Sequence, residues 1–535
     1  MNHVVTMKSP KIPTANIDGQ PGSQVLQELR SNELFVGVVG PAGAGSGTAA
    51  NILKSFFEDQ DYQTEIIKVS ALIRALAQSK SFFVPREGAR KSIESVVMMQ
   101  DRGDEIRKGE KYTRPEDHTA IARLVLEEIS VRREQSQSQD LQPSKQKKRA
   151  FIIDSLRHPA EVTLLREVYK DSFSLIGIVC NPEERKLRIL ENLFEPSKRH
   201  DQDAIQQVKK FLNRDENAGR GQDHGQHVAD TFHEADFFVD NSVPSKDPRT
   251  TGMNDHLQRF VSLLTHSRII RPTIAETAMH HAHSSQMRSA CLSRQVGAAL
   301  VDKNQNIVST GTNDVPKAGG GLYGQDFVTD IISDHQCAYA NSPHCSSNRM
   351  QNEIISELIE DFPSLETADI SKESLIDSLR GTRIGGLIEF SRAVHAEMDA
   401  ILSAAVSGVS PKGCRMYVTT YPCHYCARHI VAAGIDEVQF IEPYPKSKAT
   451  DLHSDSITIE DSANWLPPSE GGDKVLFKPF VGVAPRLYPR AFLKDRDYKN
   501  KTTGEYQLGD KKLGSVNFIY TESYLELERK LSLES

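Results

Sequence analysis

The chain has 535 residues, room for roughly two to four domains. Hydrophobic residues make up 38% and charged residues 26%, ordinary for a globular protein, and the formal net charge is −7. That balance gives no global attraction to nucleic-acid backbones and argues against a non-specific DNA or RNA binder. Seven cysteines, an odd and sparse count, do not describe a disulfide framework. No run approaches the ~20 apolar residues of a membrane helix. Met1 to Gln20 lacks the apolar core of a secretion signal. The expectation is a reducing, cytoplasmic setting with no membrane partner.

Residues 1–30 are rich in Pro, Gly, Ser and Gln and read as a flexible tail. The apolar run Leu34–Val39 then breaks into a glycine loop, Gly40 to Thr48 (GPAGAGSGT), followed by helical spacing over Ala49–Glu58. Short apolar runs recur at Glu65–Val69, Ala150–Ile153, Phe173–Val179 and Phe237–Val239, separated by helix-like segments such as Thr119–Arg132 and Pro159–Lys170. This alternation predicts a parallel sheet covered on both faces across 31–245. The Gln-, Ser- and Lys-rich stretch Glu134–Arg149 reads as a solvated loop. Pro, Ser, Lys, Asp and Gly cluster over Asn241–Met253, so 246–270 reads as a linker and 271–535 as a second domain.

In that second part Ile274–Met287 has helical spacing, and Val296–Val301 and Ile307–Ser309 read as paired strands. A polar insertion covers about 324–382. Val394–Ala405 is helix-like, Arg415–Thr420 strand-like, Ala427–Ala433 helical and Val438–Ile441 a strand, with a C-terminal extension beyond.

One constellation carries chemistry. His395-Ala-Glu397 opens a helix-like segment, and Pro422-Cys-His-Tyr-Cys426 follows a strand. This is the His-x-Glu and Pro-Cys-x-x-Cys pattern of zinc-dependent nucleobase deaminases. His395, Cys423 and Cys426 supply three metal ligands and leave the fourth tetrahedral position to water. A Cys-x-x-Cys at a helix N-terminus lets two thiolates face one ion. Zn2+ lowers the pKa of its water toward about 7. Glu397, two residues past the histidine, is placed to move protons rather than to bind metal. A lone Cys-x-x-Cys would equally fit a structural zinc knuckle or a redox pair, but a structural site wants a fourth protein ligand.

The segments around these residues resemble the deoxycytidylate deaminase family. They are His395–Ile401 and Tyr417–Ala427, together with Arg288–Ala298 and Gly311–Pro316; Ala433-Gly-Ile435, Tyr444 and Asp451 continue the pattern. The resemblance implies an α/β/α cytidine-deaminase-like domain, one catalytic Zn2+ per subunit, a free deoxycytidine nucleotide as substrate, and a homo-oligomer, often a hexamer. It also implies that Asn313 helps hold sugar and base and that Tyr444 lies near the phosphate end, while Arg294 is a candidate phosphate contact. On the residues alone Asn313 is equally a turn residue beside Asp314. Asp314 stands where family members commonly have Gly. Cys337, His344 and Cys345 in the insertion depart from the family's second-zinc pattern, and whether they hold a second metal is open.

The glycine loop resembles a Walker A loop with a departure. Counted from Gly40, the lysine position is Ser46 and the Ser/Thr position is Gly47, with Thr48 one place late. Gly40, Gly43 and Gly45 still offer backbone N–H groups to phosphate at a helix N-terminus. Without the lysine, phosphoryl transfer is disfavoured. Asp154 follows a strand where a Walker B acid would stand, with Arg157 and His158 next. Arg185, Arg188, Lys198 and Arg199 occupy the place of a nucleoside-monophosphate-kinase lid, or form a solvated basic helix. The front half resembles the kinase-like P-loop region of large bacterial deoxycytidylate deaminases. That implies a regulatory nucleotide with Mg2+, anti-phage defence by nucleotide depletion, and control by an inhibitory small RNA. The competing reading is a polynucleotide deaminase acting on cytosine or adenine in RNA or single-stranded DNA. It needs a basic, aromatic-lined channel, which the acidic balance and the single Trp do not favour.

Overall fold

The computed structural model describes residues 31–85, 91–112, 115–138, 148–217, 224–242, 252–325, 332–333, 335, 343–362, 372–382, 384–387, 389–444, 447–462, 464–494 and 499–506, with Leu525, Glu528 and Leu531. The first half runs β1 (Glu33–Val39), α1 (Ser46–Glu58), β2 (Gln63–Lys68), α2 (Val69–Ser79), α3 (Ile93–Lys108), α4 (Ala120–Ser138), β3 (Arg149–Asp154), α5 (Pro159–Tyr169), β4 (Phe173–Val179), α6 (Pro182–Leu193), α7 (Gln202–Asn217), α8 (Val228–Phe232) and β5 (Phe237–Asp240). The second begins with α9 (Met253–Leu264), α10 (Ile274–Gln286), β6 (Gly297–Val301) and β7 (Ile307–Thr312). A short hairpin, β8 (Gly324–Gln325) and β9 (Ile332–Ser333), precedes α11 (Ser346–Asp361), α12 (Lys372–Arg380) and α13 (Ala396–Val406). Then come β10 (Arg415–Thr420), α14 (His424–Ala432), β11 (Glu437–Glu442), α15 (Ala449–Leu452), β12 (Ile457–Thr458), β13 (Val475–Pro479), β14 (Gly482–Val483) and α16 (Tyr488–Phe492).

The result is a mixed α/β fold with two parallel-rich sheets of six strands. The first has the order β14-β5-β4-β1-β3-β2. Its central strand, β1, is buried at every position, as a parallel strand covered on both faces must be. β1, β2, β3, β4 and β5 are parallel, and β14 closes the edge antiparallel to β5. The second sheet has the order β12-β13-β11-β10-β6-β7. β10, β11, β12 and β13 run parallel; β6 and β7 turn antiparallel at the other edge.

Two glycines set the helices close on the second sheet. A Cβ at Gly297 would lie 1.9 Å from the Ala282 carbonyl oxygen of α10, and one at Gly311 would lie 2.2 Å from the Ala396 oxygen of α13. Both backbone approaches require glycine. Gly311 therefore fixes the depth of the helix that carries Glu397.

Three stretches differ from their sequence reading. Residues 253–264 of the expected linker form α9, which buries Leu257, Phe260, Val261, Leu263 and Leu264 against the first sheet's core. Its apolar residues recur at helical spacing, a signal masked by the Pro- and Ser-rich stretch in front of it. α4 continues four residues past Glu134, to Ser138, into the expected loop. Finally, the first sheet is not confined to 31–245, because residues 482–483 supply its sixth strand. Phe260→Ala is expected to destabilise the first sheet by about 3–5 kcal/mol, the cost of truncating a fully buried aromatic. Denaturant titration followed by far-UV circular dichroism reads this directly; a loss under 1 kcal/mol would mean that α9 does not belong to that core.

Candidate active site

α13 begins immediately after His395, which occupies its N-cap position with extended backbone. α14 begins immediately after Cys423 in the same way. The strand β10 delivers the chain to Cys423, and one helical turn brings Cys426 back to the same side. The imidazole Nδ1 of His395 lies 3.3 Å from both Cys423 Sγ and Cys426 Sγ. All three donor atoms lie within 4.8 Å of one another, and among the described residues this is the one such cluster of three or more His, Cys, Asp or Glu.

The cluster passes the chemical test for a catalytic zinc site. Zn–N near 2.0 Å and Zn–S near 2.3 Å in a tetrahedron put nitrogen and sulfur about 3.5 Å apart. One imidazole and two thiols fit zinc's taste in ligands, and no fourth protein donor joins them among the described residues. Of the two thiols, Cys423 is the one poised as thiolate. The Cys423 thiol is lowered to about 4, chiefly by the hydrogen bond from Cys426 and then by that from His395. The His395 imidazole is raised to about 9 by its hydrogen bond to Cys423. Burial pushes the Cys426 thiol up.

Glu397 is the second residue of α13, within its first turn, and is 4% exposed. Burial, and next the charge of Cys423, raise its carboxyl above the usual range. Asp399 on the same helix accepts from the Thr312 backbone N–H at 3.0 Å and ties α13 to the end of β7.

A cavity of about 340 Å³ opens on these groups. His395, Glu397 and Cys423 line it together with Asn313, Arg294 and Tyr444, so the expected residues of this site converge. Asn313 has an internal task as well. Its Oδ1 accepts from the Val296 N–H at 2.6 Å, and its Nδ2 donates to the Arg294 carbonyl at 2.7 Å. It thereby moulds the loop that presents Arg294. Arg294 pairs with Glu442 at 3.1 Å and lies over the Tyr444 ring at 5.8 Å.

The insertion contributes what sequence reasoning missed. Cys345, Ser346 and Ser347, at the start of α11, line the same cavity. No spacing rule links them to His395, fifty residues downstream by the numbering. Cys345 thus faces the cavity and not a second metal cluster of described residues. Cys337 lies outside the described residues.

The front loop is a separate place in the fold. Gly43 and Gly45 have φ of 81° and 98°, and α1 starts at Ser46. Gly47 and Thr48 are exposed. Asp154, at the end of β3, is paired in register with Val38 and lies beside Gly47, its Oδ2 3.4 Å from where a Cβ would stand. A Cβ on Gly40 would be 3.0 Å from Ser46 Oγ. Arg185 donates to the Ala42 carbonyl at 3.0 Å, and Arg188 to that of Asn241 at 2.8 Å, while Asn241 donates to Ala44 at 2.7 Å. These bonds hold α6 against the loop. Arg199 instead donates to the Glu191 carbonyl. His158 caps α5, and Arg157 donates to Gln226.

The family described as cytidine and deoxycytidylate deaminase zinc-binding region matches residues 272–442. The deoxycytidylate deaminase of Enterobacteria phage T4 is 30% identical over 179 residues, which cover 32% of this chain and 80% of that protein. The chain belongs to the deoxycytidylate deaminase family. ComE operon protein 2 of Bacillus subtilis is 46% identical over 54 residues, 10% of this chain and 29% of that protein. A crystal structure of dCMP deaminase from the cyanophage S-TIM5 with dCMP and dUMP aligns with 39% of this chain and 99% of its own at 18% identity, with a TM-score of 0.22. The family match lies on the second sheet and its helices and includes His395, Glu397, Cys423 and Cys426.

Proposed function

We propose that this chain hydrolytically deaminates free deoxycytidine nucleotides, dCMP, dCTP or both, to deoxyuridine nucleotides and ammonia. The observation that carries the reading is the buried Glu397 carboxylate opening on one cavity with His395 and Cys423. His395, Cys423 and Cys426 would hold Zn2+, which supplies a hydroxide nucleophile at neutral pH.

The chain's own groups do the rest. Glu397 takes the proton released as water oxygen bonds to C4 and passes it to ring N3. It then moves the hydroxyl proton to the exocyclic amine, which departs as ammonia as the C4 carbonyl forms. A raised carboxyl pKa suits a group that must both take and give a proton. Asn313 positions the sugar and base through the loop it moulds, and Tyr444 and Arg294 stand at the phosphate end.

The front region, 31–245, is read as a degenerate P-loop domain that regulates the deaminase. Gly43 and Gly45 in the left-handed region, α1 beginning at Ser46, and Asp154 alongside support a nucleotide there, with Mg2+. Ser46 in the lysine position supports sensing over phosphoryl transfer. The family resemblance supports a homo-oligomer, a role in anti-phage nucleotide depletion and restraint by a small RNA. No helix among the described residues is long and apolar enough to cross a membrane.

The test is ammonia release and product identity from zinc-loaded protein on dCMP, dCTP, CMP, CTP and single-stranded oligonucleotides, alone and with ATP, GTP or dTTP. Deoxyuridine nucleotide from dCMP or dCTP is expected. Turnover of oligonucleotides alone would replace the proposal with polynucleotide editing.

A further inference from the structure

The stretch 289–296, between α10 and β6, has no regular secondary structure, yet it walls the catalytic cavity through Cys291, Leu292, Ser293, Arg294 and Val296. An irregular segment keeps one shape only where other groups take the hydrogen bonds that a helix or sheet would supply. The downstream half is tied by the Asn313 amide, at the Arg294 carbonyl and the Val296 N–H. Gln286 adds a bond to the Gln295 carbonyl at 3.0 Å. In the upstream half, the Ser289 hydroxyl donates to the Asn313 carbonyl at 2.6 Å, and the Ala290 N–H donates to Asp314 Oδ2 at 3.1 Å.

Asp314 is where these ties meet the segment that carries the metal cluster. Its other carboxylate oxygen accepts from the Val315 N–H at 2.7 Å. Its carbonyl accepts at 2.9 Å from the N–H of Val394, the residue just before His395, and the two residues form an antiparallel bridge. On the other side of Asn313, the Thr312 N–H is held by Asp399 of α13. Asn313 is thus bracketed by bonds to the segment that carries His395 and Glu397. The bridge runs main chain to main chain, and Val315, Ala393 and Tyr323 pack together beside it, so this neck does not depend on the Asp314 carboxylate. The carboxylate has a separate task, which is to couple the cavity wall to the neck. Accepting from two N–H groups at once takes two acceptor oxygens, which a carboxylate offers and a side-chain amide does not.

We infer that Asp314 is a positioning residue: its carboxylate fixes the upstream part of the cavity wall relative to Asn313, His395 and Glu397, and so sets how tightly substrate is held. Among the described residues that line the cavity Asp314 is absent, so it acts through Ala290 and not on the ligand. It rests on the deaminase reading above.

The experiment compares full-length zinc-loaded wild type, Asp314→Ala and Asp314→Asn. kcat and KM are measured for dCMP and dCTP, and Kd for dUMP and dUTP by titration calorimetry. Zinc content and melting temperature are measured on the same samples. Asp314→Ala raises KM for the preferred nucleotide, and Kd for its product, at least about tenfold, within what a misplaced positioning group costs. kcat falls less than about threefold, because the interaction lost serves ground state and transition state alike. Zinc stays at the wild-type level. Asp314→Asn, which keeps one acceptor oxygen, gives an intermediate rise. Unchanged KM and Kd in an Ala variant that retains zinc and melting temperature would overturn the inference and leave the deaminase reading intact. A fall in kcat at unchanged KM would do the same, since it would put Asp314 in the chemical step. Where the Ala variant loses zinc or melts low, the Asn variant decides on the same criteria, and loss of zinc in both would make Asp314 a structural residue and overturn the inference. A wild-type enzyme silent on dCMP and dCTP with zinc bound would sink the deaminase reading, and this inference with it.

Discussion

Glu397→Gln lowers kcat for deoxycytidine nucleotide by about 100- to 10,000-fold, the usual contribution of a positioned general acid–base. Zinc content stays at the wild-type level, because the three donors of the cluster are His395, Cys423 and Cys426. The amide keeps the shape of the buried carboxyl, so packing around α13 is retained. It cannot take up the proton released at C4 attack or return one to the amine. Steady-state ammonia release with metal analysis on the same sample makes the measurement. Loss of zinc in this variant would make Glu397 part of metal binding, and wild-type turnover would remove it from the mechanism.

Arg259→Ala destabilises the junction between the two sheets by about 3–5 kcal/mol, the cost of leaving a buried carboxylate without its partner. Glu276 is fully buried at the start of α10. It closes a capping box with Thr273, accepts both terminal nitrogens of Arg259, and accepts the Val483 backbone N–H at 2.8 Å. One side chain therefore joins α9, α10 and β14, which belong to different parts of the sequence. Gly482, with φ of 117°, lets β14 approach, since a Cβ there would sit 2.7 Å from Glu276 Oε1. The double variant Arg259→Met, Glu276→Gln removes both charges and recovers part of the loss. Thermal unfolding of the full chain, wild type and both variants, checks this; equal losses in the single and double variants would show that the ion pair is not what holds the junction.

The His395, Cys423 and Cys426 cluster and Glu397 were legible in the sequence because their spacing is local. A histidine and a glutamate two apart, and two cysteines three apart, each occupy one helix start, and short-range geometry dictates what such pairs face. The central strands were legible for a related reason. β1, β3 and β4 are buried on both faces, so each is a continuous apolar run bounded by polar or glycine residues.

What was not legible depends on partners distant in the chain. α9 read as linker because its amphipathic stripe has no meaning until the first sheet lies beneath it. β14 is two residues long, and only its pairing with β5, more than two hundred residues earlier, makes it a strand. The partners of Asn313 were equally out of reach of the sequence: its amide ties the 294–296 backbone, about seventeen positions earlier, while it also lines the cavity.

The sequence by itself determined the His395, Cys423 and Cys426 set, the carboxyl of Glu397 beside it and the run of alternating strands and helices, all properties of periodicity and of residues a few positions apart. Only the tertiary structure decided that α11 of the insertion walls the cavity, that Arg294 and Tyr444 meet there, and that Glu276 binds the two sheets together. The physical reason is the same in each case. These contacts arise from burial and chain crossing, which no local pattern encodes, because each requires a surface that exists only after both sheets have formed.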